Sequence, residues 1–211
     1  GSLQAYAEHV ETEVEGAGYS ASLYAPSDPI TTTHFKTGKH HLETFNIDGT
    51  TYNDDMIQSL GYLAQFAQDH NFDLEVEGFA DAQPYRNQSS SSSDQSNIDL
   101  GNRRADEIIR ILVGQGLPAN KVTRKASRGS ADARAAGGTP DNVNFRKAEI
   151  RIKNRSVYYL LVRSPNSGLT IESVTPDKTT PGTSGNGFAW LYRPQALSLS
   201  GKKATIESPR D

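Results

Sequence analysis

The sequence predicts an α+β fold in which a mixed sheet carries helices on one face, with a small β-rich extension at the C-terminus. Residues 74–78 and 147–153 alternate apolar and charged side chains, as half-buried strands do. Longer stretches place apolar residues three and four positions apart, as amphipathic helices do. The resulting order is β-α-β-α-β-β, for which a sandwich of one sheet and one helical layer is the economical packing.

The elements of the predicted core follow in chain order. The first strand, 30–36, is rich in threonine and β-branched residues and ends at a turn around Gly38. Asn53 is predicted to cap the first helix, and Ser96 with Asp99 has the spacing of a capping box for the second. The predicted elements are a strand at 30–36, a helix at 53–70, a strand at 72–79, a helix from 97 to near 114, and strands at 121–127 and 147–153.

The flanking segments differ in composition from this core. Residues 1–29 are predicted to be a helical or linker segment, 30–155 the main domain, and 156–211 a β-rich extension. The extension either completes the main domain or binds a partner. Within the domain, residues 82–96 contain Pro84 and five consecutive serines, a composition that predicts a mobile loop insertion.

Composition narrows the classes of function. A net charge of −3 and a pI near 6.0 argue against a nucleic-acid partner, although 13 Lys or Arg stand against 5 Asp or Glu between residues 103 and 155. The chain has no cysteine, so it has no disulfide or thiolate metal site. His34, His40 and His41 lack a companion carboxylate at ligand spacing, and there is no Gly-x-Ser-x-Gly motif. We therefore predict a non-enzyme without metal or cofactor.

Three polar residues are predicted to meet at one end of the sheet. Asp81 follows the strand at 74–78, and Asn97 and Arg104 lie on the same side of the second helix. A carboxylate, an amide and a guanidinium would then converge. They would form either a ligand site or an Asp81–Arg104 ion pair that holds the helix to the sheet.

Three motifs in this region resemble the OmpA-like domain, the peptidoglycan-binding module of outer-membrane proteins, Pal-type lipoproteins and MotB-type motor stators. The resemblance spans about residues 30–153. Its motifs are Gly78-Phe-Ala-Asp81, Asn97-x-x-Leu-Gly-x-x-Arg104-Ala-x-x-Ile108 and Phe145-Arg-Lys-Ala-Glu-Ile150. The sequence departs from the family pattern at Ala80, Gly101 and Phe145, where the family has Thr, Ser and Asn, and each departure removes a polar group near the expected pocket.

The resemblance implies non-covalent binding to the diaminopimelate of the peptidoglycan stem peptide. Asp81 would take the ammonium group, Arg104 would fork onto the carboxylate, Asn97 would bind the peptide, and Arg146 would make a second anion contact. It also implies a periplasmic protein that ties an envelope complex, such as a motor stator or secretion machine, to the cell wall. Gly1-Ser2 resembles the remnant of a cleaved tag, so we expect a membrane anchor to precede Leu3. Homodimerisation and loss of peptidoglycan binding in favour of protein interaction remain open.

Overall fold

A computed structural model describes residues 20–24, 28–69, 71–153, 159–163 and 190–192. Short 3₁₀ turns at Ala119–Lys121 and Val143–Phe145 accompany the longer elements. The strands are β1 Ser20–Tyr24, β2 Thr31–His34, β3 Phe45–Ile47, β4 Thr50–Tyr52, β5 Leu74–Gly78, β6 Val122–Lys125, β7 Lys147–Ile152, β8 Tyr159–Arg163 and β9 Trp190–Tyr192. The helices are α1 Met56–Asp69, α2 Ser90–Gly114 and α3 Ala131–Ala136.

The chain divides into two compact units. One contains 29–67 and 72–153, and the other contains 1–28, 68–71 and 154–211. In the second unit, β1 and β9 each pair antiparallel with β8. The prediction of a helical or linker segment is therefore wrong at residues 20–24, which pair with a strand far along the chain that local sequence does not reveal. Residues 1–19 of the predicted helical or linker segment lie outside the described residues.

The first unit contains a four-stranded mixed sheet in the order β2-β7-β5-β6. Strand β7 pairs antiparallel with β2 and β5, whereas β5 and β6 are parallel. Helix α2 packs across β5, β6 and β7. This architecture confirms the predicted α+β class with a mixed sheet. A hairpin of β3 and β4, which the sequence analysis did not predict, precedes α1.

Apolar positions of the predicted periodicity form the core between α2 and the sheet. The alternating residues of β7 and the regularly spaced residues of α2 are all nearly inaccessible to solvent, and each large side chain contributes roughly 1.5–3 kcal/mol on burial. They are Ala148, Ile150 and Ile152 on β7, and Leu100, Ile108 and Leu112 on α2. The period of the pattern therefore identifies the buried face of both elements.

Helix α2 begins at Ser90, not after Ser96 as predicted. The Ser89 hydroxyl accepts a hydrogen bond from the backbone N–H of Ser92 at 3.2 Å, so serine caps the helix at the start of the run expected to be a loop. Serine disfavours the middle of a helix but satisfies the free N–H groups of its first turn. The predicted loop insertion at 82–96 is thus wrong beyond residue 89, and the connecting loop is 82–89.

Asn53 has a tertiary role in place of the predicted capping role. Its Oδ1 accepts from the His34 N–H at 2.9 Å, and its Nδ2 donates to the carbonyls of His34 at 2.7 Å and Glu43 at 2.8 Å. The side chain is therefore committed to holding β2 against the segment before β3. Within the described ranges, no helix is both long enough and apolar enough to cross a bilayer.

Candidate functional site

Asp81 lies just beyond the end of β5 and is 5% exposed. Its Oδ2 accepts hydrogen bonds from Gln83 Nε2 at 2.7 Å, Arg146 Nη1 at 3.0 Å and the Asn142 N–H at 3.1 Å. Its Oδ1 accepts a longer bond, 3.3 Å, from the Gln83 N–H. One carboxylate oxygen is therefore saturated, while the other retains capacity for a further donor.

Arg146, which immediately precedes β7, is the ion-pair partner of Asp81. Its Nη1 lies 3.0 Å from Asp81 Oδ2 and 2.7 Å from Asp141 Oδ1, and its Nε donates to the Phe35 carbonyl at 2.8 Å. Arg146 is 4% exposed, whereas the Asp141 side chain is 66% exposed. A single buried guanidinium thus links an inner and an outer carboxylate.

Arg104, on α2, is fully buried and binds backbone carbonyls. Its Nε donates to Lys39 at 2.8 Å, Nη1 to Phe79 at 2.8 Å and Nη2 to Lys36 at 3.3 Å. Burial lowers the pKa of Arg104 to about 10, against the opposing charge of Asp81, so the group remains protonated at neutral pH. Arg104 does not form the direct ion pair with Asp81 that the sequence left open.

Asn97 is also buried, and it contacts the site through the loop that follows Asp81. Its Nδ2 donates to the Gln83 carbonyl at 3.3 Å. The four predicted residues therefore gather at one end of the sheet. Asp81 and Arg146 pair directly, Arg104 binds the carbonyl two residues before Asp81, and Asn97 holds the loop two residues after it.

Two participants were missed by the sequence analysis, Gln83 and Asp141. Gln83 Nε2 lies 3.5 Å from Asp141 Oδ1 and 2.7 Å from Asp81 Oδ2, so its amide bridges the two carboxylates. Proximity in sequence to Asp81 and to Arg146 was the only local signal for these residues. Neither belongs to a motif, and their contacts arise from the folding of the 82–89 loop and the segment before β7.

Packing explains why α2 has a glycine at position 101, where the family motif has serine. A Cβ built on Gly101 would lie 2.1 Å from Ser127 Oγ, so the Ser127 hydroxyl fills the space of a side chain at 101. A Cβ on Gly78 would lie 1.7 Å from the Gly101 carbonyl oxygen. Strand β5 and helix α2 therefore approach more closely here than any pair of side chains would allow.

The arrangement is suited to binding a small zwitterion. The guanidinium groups of Arg104 and Arg146 are buried, and Arg146 contacts two carboxylates, the buried Asp81 and the exposed Asp141. The charge of Asp81 also acts on Arg104. Charge-assisted hydrogen bonds are about twice as strong as neutral ones. Within the described part of the chain, no three His, Cys, Asp or Glu side chains cluster so as to hold a metal ion.

The part of the chain that contains this site is similar to known proteins. A model of the OmpA family matches residues 44–147. The peptidoglycan-associated lipoprotein from Burkholderia pseudomallei is a similar solved structure, with 17% identity, a TM-score of 0.43, and coverage of 58% of this chain and 89% of that chain. The OmpA-like domain of FopA1 from Francisella tularensis has 22% identity, a TM-score of 0.43, and coverage of 64% and 82%. The C-terminal domain of Helicobacter pylori MotB has 18% identity, a TM-score of 0.39, and coverage of 60% and 87%. No curated protein matched the chain.

Proposed function

We propose that this chain, whose residues 44–147 match a model of the OmpA family, binds peptidoglycan non-covalently through the diaminopimelate of the stem peptide. In this role it anchors a membrane or envelope complex, such as a motor stator or secretion machine, to the cell wall. The proposed protein is non-catalytic, periplasmic and membrane-anchored. Homodimerisation is part of the same proposal, as expected of a stator-type anchor.

The observation that carries the proposal is the buried Asp81 carboxylate beside two buried guanidinium groups. The side-chain end of diaminopimelate carries an ammonium and a carboxylate on one carbon. Asp81 accepts from the ammonium, and the positive charges of Arg104 and Arg146 favour the carboxylate next to it. A site that contained Asp81 alone would not discriminate this zwitterion from a simple amine.

In this proposal Arg104 does not bind the ligand carboxylate directly, although the sequence analysis expected it to. Three of its donors are bound to backbone carbonyls, so it acts through its charge and by fixing the strand end unless the segment 36–39 moves. The same observation favours a second candidate function. An Arg104 occupied in this way is what an OmpA-like fold would retain as a structural element after losing peptidoglycan binding and becoming a protein-interaction module.

Co-sedimentation with purified peptidoglycan sacculi separates the two candidates. The variants are Asp81→Asn and Arg104→Lys, with Asp106→Asn as the control because Asp106 is an exposed carboxylate that pairs with Arg124. We expect the parent and Asp106→Asn to pellet, and Asp81→Asn to lose at least tenfold in affinity, since a charge-assisted bond is lost. Thermal melting of each variant checks that it folds.

Two further outcomes decide the finer points. A parent protein that stays in solution refutes wall binding and favours the interaction module, which predicts partner binding that is lost on deletion of residues 156–211. Sacculi with lysine in place of diaminopimelate test the ligand, because lysine lacks the second carboxylate. Equal binding to both kinds of sacculi would refute the diaminopimelate assignment while leaving wall binding intact.

A further inference from the structure

The side-chain amide of Gln83 occupies a pocket of oxygen atoms. Its Nε2 lies 2.7 Å from Asp81 Oδ2, 3.5 Å from Asp141 Oδ1 and 3.5 Å from Thr37 Oγ1. These three acceptors come from three separate segments of the chain, and two of them are carboxylates. An amide nitrogen has two hydrogens and no charge, so it satisfies this pocket incompletely. A primary ammonium has three hydrogens and a positive charge, which matches three oxygens of which two belong to carboxylates.

The loop that carries Gln83 is held in place by α2. The Ser93 hydroxyl accepts from the Tyr85 N–H at 3.1 Å, and Asn97 Nδ2 donates to the Gln83 carbonyl at 3.3 Å. Ser93 and Asn97 are both less than 5% exposed. The serine-rich start of the helix therefore has a structural consequence, because it supplies one of the two side chains that position Gln83 over Asp81.

We propose that Gln83 is an intramolecular competitor that occupies the cation subsite of Asp81, Asp141 and Thr37 and must be displaced by the primary ammonium of a ligand. This inference rests on the proposed function, and it adds Asp141 as a residue that determines specificity for a cation. Displacement replaces a neutral donor with a charged one, which makes stronger hydrogen bonds to Asp81 and Asp141, the two carboxylates that Arg146 also contacts. While the amide is bound, the ligand cannot enter, so the apparent affinity equals the intrinsic affinity multiplied by the fraction of molecules in which the subsite is free.

The test is a calorimetric titration of meso-diaminopimelate into the intact parent chain and into Gln83→Ala. If Gln83 occupies the subsite in nine molecules of ten, its removal tightens binding about tenfold. Gln88→Ala is the matched control, because Gln88 belongs to the same loop and is bound by Ser96 away from Asp81. Ser93→Ala frees the Tyr85 N–H and loosens the loop, so we expect a smaller gain in affinity. Asp141→Asn weakens binding several-fold.

Equal or weaker binding by Gln83→Ala would overturn the proposal, since Gln83 would then be irrelevant to the ligand or would contact it. Side-chain NH₂ signals of Gln83 in the ligand-free protein provide a readout that needs no ligand. Signals shifted from those of the exposed Gln88 support the contact with Asp81, and signals equal to them overturn it. Binding by neither protein refutes the proposed function, and these signals then decide by themselves whether Gln83 occupies the subsite.

Discussion

Substitution of Gly78 by alanine tests the close approach of β5 and α2 on which the site is built. A Cβ at this position would lie 1.7 Å from the Gly101 carbonyl oxygen and 2.6 Å from its carbonyl carbon. Real Cβ atoms are essentially never within 3.0 Å of such an atom, so the separation must grow by more than 1 Å. Because the obstacle is helix backbone and not a flexible side chain, α2 has to move away from the sheet.

The cost follows from what α2 buries. Leu100 and Ile108 lie on the same helix and are 3% and 0% exposed, so a shift of the helix loosens their packing against the sheet. Overpacking in a core typically costs about 1–3 kcal/mol, and a fixed backbone obstacle belongs at the upper end. We expect the free energy of unfolding to fall by about 3 kcal/mol, which corresponds to a loss of roughly 10 °C in the melting temperature.

The assay is thermal and urea unfolding followed by far-ultraviolet circular dichroism. Gly114→Ala is the matched control, because a Cβ there meets nothing within 4 Å and alanine favours a helix. We expect Gly114→Ala to melt at or slightly above the temperature of the parent. A Gly78→Ala variant that melts within about 2 °C of the parent would refute the reasoning, since the loss expected from the clash is several times larger.

Two further predictions concern the packing around the site. Burial opposes ionisation of Glu107, but the Leu42 N–H and the Arg110 guanidinium lower its pKa below the ordinary value of 4.5. The ionised carboxylate therefore stabilises the folded protein above pH 4.5, and this stabilisation is lost as the pH falls through the pKa of Glu107 in the folded state. Glu107→Gln should therefore cost about 1 kcal/mol of unfolding free energy at pH 7 and less at pH 2, measured by urea unfolding at both pH values. Asn53→Gly, which keeps the left-handed backbone at φ 60° free of strain, removes three hydrogen bonds to β2 and its neighbour and should cost about 2–4 kcal/mol in the same assay.

Control measurements show whether these losses of stability come from the named side chains or from substitution as such. Asn87→Gly is matched to Asn53→Gly, because Asn87 has φ 57° but is exposed, and we expect little change. An equal loss in both variants would contradict the role assigned to the Asn53 side chain. A Glu107→Gln cost that is the same at pH 2 and pH 7 would show that the carboxylate charge does not contribute.

Local patterns in the sequence were sufficient for the fold class and for the approach of Asp81, Asn97 and Arg104 to one end of the sheet. The period of two in β7 and the helical spacing in α2 identified their buried faces, because side-chain direction follows from backbone geometry alone. Spacing predicted that Asp81, Asn97 and Arg104 meet at one end of the sheet, and the family resemblance added Arg146. The structure brings these four side chains to that end. Their roles in ligand binding remain predictions.

Tertiary structure alone decided which of these residues touch. Asp81 pairs with Arg146 because β5 and β7 are neighbours in the sheet, a pairing that joins residues 65 positions apart. Arg104 faces carbonyls because the segment at 36–39 folds over it. Backbone acceptors carry no sequence signature, so no motif could have indicated that they use the donors expected to bind a ligand.

The serine run separates the two kinds of information most clearly. Its composition predicted a loop, since serine neither favours a helix interior nor buries apolar surface. In the folded chain, Ser89 caps α2 and Ser93 anchors the loop that places Gln83 on Asp81. The sequence by itself determined the strands of the central sheet, the presence of α1 and α2, and the buried faces of β7 and α2. Which donors occupy the Asp81 carboxylate was decided only by tertiary contacts, because those donors come from segments that are distant in the chain or carry no periodic signal.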